Sequence, residues 1–270
     1  MPDLSRLTVN CSIIFTELAL LDRPGAAANA GFSAVEFWWP FTAAVPPSNE
    51  VDEFVESLDA AKVVLTGLNL FAGDMAAGER GILSTPDRGS EFHENLEVIK
   101  AIAARTGCRT FNALYGNRLP GYAPHHQDEV ALERLASLED FTKSTGSQIV
   151  LEPLSGVESY PLLTAREVVG VIEDLHQTGS STTVRLLADF YHLAVNADDV
   201  SKVIEQSGSL IGHVQIADAP GRGEPETGGL PIRRWLDELQ ASKYGGMIGL
   251  EYRPSSTSGQ SFGWIREFGF

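Results

Sequence analysis

Eight short apolar runs, each followed by a segment with helical spacing, divide this chain from end to end. Each run is four to eight residues long and rich in β-branched side chains, which is typical of strands. The runs cover residues 7–14, 32–37, 63–70, 108–112, 149–152, 184–189, 211–216 and 248–251. The helical segments cover residues 20–30, 50–61, 89–106, 127–145, 164–178, 197–206, 232–242 and 261–268. This alternation predicts an α/β protein with a parallel sheet and helical crossovers.

Eight repeats in a chain of 270 residues indicate a closed (β/α)8 barrel, a TIM barrel. We expect residues 1–270 to form a single domain, because neither a change of composition nor a low-complexity tract suggests a boundary. A hydrophobic content of 43% supports a full core. A doubly wound open sheet is the structural alternative, but no Gly-rich phosphate loop follows the first run.

The composition argues against several classes of partner. A net charge of −16 and a pI near 4.7 disfavour nucleic acid, since phosphate binding requires basic patches. No apolar run approaches the roughly 18–20 residues that span a bilayer. The start, Met1-Pro-Asp-Leu-Ser-Arg, lacks the basic-then-apolar pattern of a signal peptide. Cys11 and Cys108 suit a reducing compartment, so we expect a cytoplasmic protein without membrane contacts.

Four runs in the C-terminal half end on an oxygen-bearing side chain. These side chains belong to Glu152, Asp189, Gln215 and Glu251. The carboxyl ends of barrel strands share one face, where barrel active sites lie. Three carboxylates packed together repel one another, and a divalent cation removes that repulsion. A donor set made only of oxygens favours Mg²⁺ or Mn²⁺ over Zn²⁺. The alternative for any one residue is a polar side chain at a solvated strand end.

Two glutamates beside such a metal form a proton-transfer pair. A metal bound to a carbonyl and an adjacent hydroxyl acidifies the C–H bond between them. One of Glu152 and Glu251 can remove that proton, and the other can return it on the neighbouring carbon or on the opposite face. The intermediate is a cis-enediolate, whose charge the metal stabilises. The predicted chemistry is aldose–ketose isomerisation or epimerisation next to a carbonyl.

Nearby polar residues are candidates for contacts with the substrate. His192 follows Asp189 by three residues and could donate a hydrogen bond to a substrate oxygen. Arg222, in the Gly-rich loop after the seventh run, could clamp a carboxylate with two hydrogen bonds. His213 shares its side of the strand with Gln215 and is either an inner barrel residue or a hydrogen-bond partner of a ligand. A structural or solvent-facing role is the alternative for each of the three.

Several longer motifs extend over nearly the whole chain. They are Phe15-Thr16-Glu17, Ala30-Gly-Phe-Ser-Ala-Val-Glu36, Asn69 with Ala72-Gly-Asp-Met-Ala-Ala-Gly-Glu-Arg-Gly81, Glu152-Pro153, Asp189-Phe-Tyr-His192, Gly212-His-Val-Gln-Ile-Ala-Asp218 with Pro220-Gly-Arg222, and Glu251-Tyr-Arg-Pro254. By these motifs the chain resembles the hydroxypyruvate isomerase family. That family belongs to the barrel superfamily of xylose isomerase-like sugar isomerases, ketose 3-epimerases and the endonuclease IV type of DNA repair enzyme.

The resemblance implies a site and a reaction. Glu152, Asp189, Gln215 and Glu251 would bind Mg²⁺, Mn²⁺ or Co²⁺, and the two glutamates would be the acid and the base. His192, Arg222 and Asn69 would contact the substrate. The family reaction interconverts hydroxypyruvate and tartronate semialdehyde, whose carboxylate would pair with Arg222. Association of family members through barrel faces leaves a homo-oligomer open.

Two loops depart from the family pattern. After Glu152-Pro153 the family usually carries an Asn-Thr pair and a basic residue, whereas this chain has Leu154-Ser-Gly-Val157 and then Glu158. After Arg222 the family usually reads His-Glu-Pro-Gly-Thr-Gly-Glu, whereas this chain reads Gly223-Glu-Pro-Glu-Thr-Gly-Gly229.

These departures keep other functions open. Glu158 lies where the related epimerases place a carboxylate that touches the substrate. A ketose 3-epimerase or an inosose-type isomerase or dehydratase, acting on a neutral sugar or polyol, is therefore the alternative. A non-enzymatic binding barrel is a third reading. A DNA repair nuclease is the fourth, and the net charge of −16 and the six histidines speak against it.

Overall fold

Eight parallel strands close into a barrel in chain order. The computed structural model describes residues 4–269, and in them each strand pairs with the next while β8 returns to β1. The strands are β1 Leu7–Asn10, β2 Ala34–Phe37, β3 Val64–Asn69, β4 Thr110–Asn112, β5 Gln148–Leu151, β6 Val184–Asp189, β7 Ile211–Ile216 and β8 Ile248–Leu250. The predicted (β/α)8 barrel is therefore confirmed.

Helices connect the strands around the outside of the barrel. Those of the described residues are α1 Arg23–Asn29, α2 Ser48–Ala61, α3 Gly89–Thr106, α4 Pro124–Ser137, α5 Glu139–Thr145, α6 Ala165–Gln177, α7 Phe190–Val195, α8 Val200–Ser207, α9 Ile232–Ala241 and α10 Trp264–Phe268. Each main crossover helix buries one apolar face, as amphipathic spacing requires. No described helix has both the length and the apolar character needed to cross a membrane.

The predicted helix over residues 127–145 is wrong in one respect, because the chain forms two helices there. Leu138 separates α4 from α5, and its amide donates to the Leu135 carbonyl three residues back. Leu135, Leu138 and Phe141 are all buried. Residues spaced three apart do not stay on one face of an α-helix, which has 3.6 residues per turn. A tighter turn at Leu138 keeps all three side chains directed at the core.

A short helix that the sequence spacing did not predict follows β6 directly. The Asp189 carboxylate accepts hydrogen bonds from the backbone amides of Tyr191 and His192, and it caps the first turn of α7. An aspartate at this position satisfies amides that would otherwise lack partners. The same side chain thus ends β6 and starts α7, so its position in space is closely determined.

Arg134 on α4 holds the segment that leads into α3. Its guanidinium is buried and donates to the carbonyls of Ile82, Leu83, Thr85 and Pro86 at 2.5–3.2 Å. One planar group with five N–H donors thereby satisfies four carbonyls of an irregular segment.

We expect Arg134→Lys to lower the free energy of unfolding by about 1–3 kcal/mol, because an ammonium cannot reach all four carbonyls and leaves buried acceptors without partners. Urea unfolding followed by circular dichroism measures the change. Arg166→Lys, at an exposed arginine on α6, is the matched control and should leave the unfolding midpoint unchanged. Equal midpoints for the two variants would refute this role of Arg134.

Candidate active site

The four predicted metal ligands lie together at the carboxyl ends of neighbouring strands. Asp189 ends β6 and is the register partner of Gln215 on β7. Glu152 and Glu251 are the first residues after β5 and β8. All four side chains are buried, with at most 4% of their surface exposed. The closed barrel therefore places residues that are up to 99 positions apart in the chain at one mouth.

One oxygen of Glu152 and one of Asp189 are held by the protein. The Asn112 amide nitrogen donates to Glu152 Oε2 at 2.7 Å. Asp189 Oδ1 accepts from the backbone amide of Tyr191 at 2.8 Å. The other oxygens, Glu152 Oε1 and Asp189 Oδ2, take no part in these hydrogen bonds. Glu152 Oε1 is buried and has no hydrogen-bond partner.

Gln215 and Glu251 are held in the same way. Gln215 Nε2 donates to Glu36 Oε1 at 2.7 Å and to Glu251 Oε2 at 2.5 Å. Asn10 Nδ2 also donates to Glu251 Oε2, at 2.6 Å. Gln215 Oε1 is buried and has no hydrogen-bond partner. Each of the four side chains thus has one atom held by a hydrogen bond within this network and a second oxygen that takes no part in it.

These remaining oxygens fit a cation. Glu152 Oε1 and Gln215 Oε1 lack partners, and buried polar atoms without partners call for an explanation such as an ion. Asp189 Oδ2 and Glu251 Oε1 both meet Arg222 Nη2, so their partner is itself a cation. The donor set is made of oxygens, which suits a hard divalent ion.

The pKa shifts of Glu152 and Glu251 also favour a cation at this site. Burial raises the pKa of the Glu152 carboxyl well above its usual range, and the charges of Glu251 and Asp189 raise it further. Burial also raises the pKa of Glu251; the Arg222 guanidinium opposes this effect, and Asp189 and Glu36 add to it. The positive charge near Glu152 and Glu251 therefore does not offset their burial, and a divalent cation would add to it.

His192 lies against the carboxylates, but its tautomer is that of a hydrogen-bond donor. The carboxylates of Glu152 and Asp189 and the imidazole of His192 lie within 4.8 Å of one another, a group that could hold a metal. However, the Ser155 backbone amide donates to His192 Nδ1 at 3.0 Å. Nδ1 must then be unprotonated, and the ring proton of the neutral imidazole is on Nε2. Burial lowers the pKa of His192 to about 4, so the neutral form is the relevant one.

Nε2 of His192 is the atom that faces the site. It lies 3.7 Å from Asp189 Oδ2 and 3.9 Å from Glu152 Oε1. An N–H group at this point donates a hydrogen bond and has no lone pair for a metal. The structure therefore suits the predicted role of His192 as a donor to substrate and argues against its use as a ligand.

Arg222 reaches the site from the loop after β7. The Asp218 carboxylate organises that loop by accepting from the backbone amides of Glu226, Gly228 and Leu230 at 2.9–3.0 Å. The Arg222 guanidinium is partly buried beside Asp189 and Glu251, and its Cζ lies 5.5 Å from the centre of the Tyr191 ring. A cation at the edge of the acidic cluster remains available to a substrate carboxylate.

The other candidates occupy different positions. Asn69 lines a small cavity between the barrel strands, together with Asn112 and Gln215. Glu158 is exposed in the loop after β5. His213 is buried, and its Nε2 lies 2.7 Å from Glu36 Oε2, so it is an inner barrel residue.

Sequence reasoning missed three residues that hold the site together. Asn10, Glu36 and Asn112 contact the predicted ligands directly or through one another. The sequence carries a signal for two of them, because Asn112 ends its apolar run and Glu36 is next to the end of its run. Asn10 lies inside the first predicted run and ends β1 only because that strand is shorter than predicted.

Comparisons with known proteins identify the family of this chain. A family model described as xylose isomerase-like TIM barrel matches residues 24–268. A Streptomyces coelicolor protein named "Putative hydroxypyruvate isomerase" is 43% identical over 96% of this chain and 95% of its own length. Hydroxypyruvate isomerase of Escherichia coli is 29% identical over 96% of this chain and 98% of its own. The 2-oxo-tetronate isomerase of Cupriavidus necator is 29% identical over 97% of this chain and 98% of its own.

Solved structures show the same architecture. A Brucella melitensis protein described as AP endonuclease, family 2 superposes with a TM-score of 0.87 and 28% identity over the whole of both chains. The 3-keto-D-glucoside 4-epimerase of Escherichia coli superposes with a TM-score of 0.75 over 97% of this chain and 98% of its own, and at 20% identity it shows the fold alone. The chain belongs to the xylose isomerase-like TIM barrel family, with the hydroxypyruvate isomerases among its relatives.

Proposed function

We propose that this protein is a metal-dependent isomerase that interconverts hydroxypyruvate and tartronate semialdehyde (2-hydroxy-3-oxopropanoate). The observation that carries the proposal is the common arrangement of Glu152, Asp189, Gln215 and Glu251. Each has one side-chain atom fixed by the protein and one oxygen left over at the barrel mouth. Two of these oxygens are buried without a hydrogen-bond partner, and the other two lie beside the Arg222 guanidinium.

The same four residues would hold the metal, with Mg²⁺ or Mn²⁺ as the favoured ions and Co²⁺ as a further candidate. When bound, a divalent ion would polarise the carbonyl and hydroxyl oxygens of the substrate and acidify the C–H bond between them. The fixed atoms matter because they hold the ligands in place before the ion arrives. An arrangement of this kind is expected for a site that binds its ion without reorganising.

Glu152 and Glu251 would move the proton. One carboxylate takes a proton from C3 of hydroxypyruvate, which leaves a substrate-derived cis-enediolate. The other adds a proton at C2, and the hydroxyl proton moves from the oxygen on C3 to the oxygen on C2. The product has the same atoms with an aldehyde at C3. Burial favours this exchange, because a carboxyl with a raised pKa accepts a proton more readily than one in water.

Arg222 and His192 would bind the substrate. The Arg222 guanidinium offers donors for a carboxylate, and His192 Nε2–H offers one for a hydroxyl or carbonyl oxygen. Hydroxypyruvate and 2-oxo-tetronate, the substrates in the relatives' names, are both carboxylates. A neutral sugar would leave the charge of Arg222 without that partner. For this reason a 2-oxo acid is preferred over the polyol of the epimerase alternative.

A DNA repair nuclease is less well supported. The net charge of −16 opposes DNA binding. Four of the six histidines, namely His93, His125, His126 and His176, are exposed on outer helices. The remaining two are His192, whose tautomer makes it a donor, and His213, which pairs with Glu36. Few imidazole ligands therefore remain for the several metals of such an enzyme.

We expect Asp189→Asn to weaken Mn²⁺ binding by about 100-fold or more, since it removes a charged ligand while leaving the cap of α7 in place. Calorimetric titration with Mn²⁺ measures the affinity. Asp199→Asn is the matched control, because Asp199 caps α8 in the same manner and is remote from the predicted ligand set. If Asp189→Asn binds Mn²⁺ as tightly as the wild type, the metal site is refuted.

We expect Glu251→Gln to lower kcat for hydroxypyruvate by about 10²–10⁴-fold, because an amide cannot carry the proton. Incorporation of deuterium from D₂O into product, followed by NMR, should fall in parallel. Glu158→Gln, at the exposed glutamate of the β5 loop, is the control for hydroxypyruvate. A large loss with Glu158→Gln and none with Glu251→Gln would favour a different substrate and a different base.

We expect Arg222→Lys to raise KM for hydroxypyruvate about 10–100-fold, since a pair of charged hydrogen bonds contributes about 1.5–3 kcal/mol. The inhibition constant of dihydroxyacetone, a neutral three-carbon analogue, should change much less. Arg253→Lys, at an exposed arginine in the neighbouring loop, is the control. Equal effects on the acid and on the neutral analogue would show that Arg222 does not recognise a carboxylate.

A further inference from the structure

We propose that Glu36 is a positioning residue for the metal site, and that its carboxylate turns the Gln215 amide so that the amide oxygen faces the metal. This inference rests on the proposed metal site and extends it to β2, a strand that supplies none of the predicted ligands. Glu36 is 2% exposed, and its carboxylate contacts the side chains of Asn10, His213 and Gln215.

A closed ring of hydrogen bonds joins Glu36 to the site. Glu36 Oε1 accepts from Gln215 Nε2 at 2.7 Å and from Asn10 Nδ2 at 3.2 Å. The same two amide groups donate to Glu251 Oε2, at 2.5 and 2.6 Å. Two carboxylates are thus bridged by two amides, and each amide nitrogen uses both of its hydrogens.

The chemistry of the ring determines which way each amide points. Gln215 Nε2 lies within hydrogen-bond distance of Glu36 Oε1 and Glu251 Oε2, and an NH₂ group can only donate, so both carboxyl oxygens are its acceptors. Gln215 Oε1 is then directed out of the ring, and it is one of the buried oxygens without a partner. Asn10 is fixed independently, since its Oδ1 accepts from the Ser12 backbone amide at 3.0 Å.

The barrel makes room for this carboxylate by omitting side chains beside it. A Cβ atom on Gly249 of β8 would lie 2.6 Å from Glu36 Oε1 and 2.8 Å from Gln215 Cγ. A Cβ atom on Gly67 of β3 would lie 3.3 Å from Glu36 Cβ. The first distance is shorter than any van der Waals contact allows. Gly249 therefore leaves the space that Glu36 and Gln215 occupy, and Gly67 allows a close approach of Glu36 to β3.

The stability of the fold does not by itself explain why a carboxylate occupies position 36. A buried carboxylate is costly to desolvate, and apolar side chains of similar volume are often as stable or more so. Here the carboxylate accepts from two amides and lies 2.7 Å from His213 Nε2, and every contact of its Oε1 leads to a predicted ligand or to a partner of one. The position of an acceptor, more than a stabilising charge, is what Glu36 contributes.

Two substitutions separate the position of the acceptor from its charge. Glu36→Gln keeps an acceptor oxygen at the same reach and removes the charge, while His213 can accept from the new amide through its other tautomer. Glu36→Asp keeps the charge and withdraws the acceptor by one carbon. We expect Glu36→Asp to weaken Mn²⁺ binding about 10–100-fold, and Glu36→Gln to weaken it less than about tenfold.

The measurement is calorimetric titration of the purified, metal-stripped protein with Mn²⁺ alone, with a thermal unfolding scan of each variant. Glu224→Asp is the matched control: Glu224 is a buried glutamate that bonds to Ser255 and lies outside the ring. It should leave the Mn²⁺ affinity unchanged. Loss of affinity in Glu36→Gln with full affinity in Glu36→Asp would overturn the proposal in favour of a purely electrostatic role.

A double substitution tests whether Glu36 acts through Gln215. In a Gln215→Ala background, Glu36→Asp should have almost no further effect on Mn²⁺ affinity, because there is no amide left to orient. Additive losses would overturn the proposal. If the wild-type protein does not bind Mn²⁺, the metal site fails and the role of Glu36 fails with it. If the wild type binds and Glu36→Asp binds equally well, the role of Glu36 fails alone.

Discussion

Burial of negative charge at the mouth of the barrel is the constraint on which the site depends. Glu36, Glu152, Asp189 and Glu251 are each at most 4% exposed, and unpaired carboxylates at such depth are strongly disfavoured. The fold tolerates them because each has an oxygen that accepts a hydrogen bond from an amide. What remains is a buried oxygen without a hydrogen-bond partner on each of Glu152 and Gln215, and two carboxylate oxygens beside Arg222. A further cation among them would lower the free energy of the group.

The barrel supplies the geometry for this arrangement. Parallel strands that close in chain order bring the first strand beside the last, so Asn10 on β1 can hold Glu251 after β8. In the same way Asn112 on β4 holds Glu152 after β5. Each proposed acid–base glutamate therefore has an asparagine on a neighbouring strand as its partner. The same kind of hydrogen bond, from an asparagine amide to a carboxylate oxygen, therefore holds both glutamates.

The sequence was a good guide wherever a signal was local. The strand runs, the helical spacing and the oxygen-bearing residues at strand ends predicted the barrel and the four proposed ligands. It was a poor guide to the partners of those ligands. Asn10 lies 241 positions from Glu251, and Glu36 lies 179 positions from Gln215. No local sequence pattern relates residues that are so far apart. The break at Leu138 was also missed, because it depends on which core the helix packs against.

The sequence by itself determined the class of fold and predicted the kind of chemistry. Alternating strand and helix patterns allow little else at this length, and carboxylates at strand ends favour a hard cation. Only the tertiary structure decided the state of each side chain. The tautomer of His192 follows from the Ser155 amide, and the orientation of Gln215 follows from Glu36 and Glu251. Both are set by hydrogen bonds across the barrel, and the partners in such bonds become neighbours only when the barrel closes.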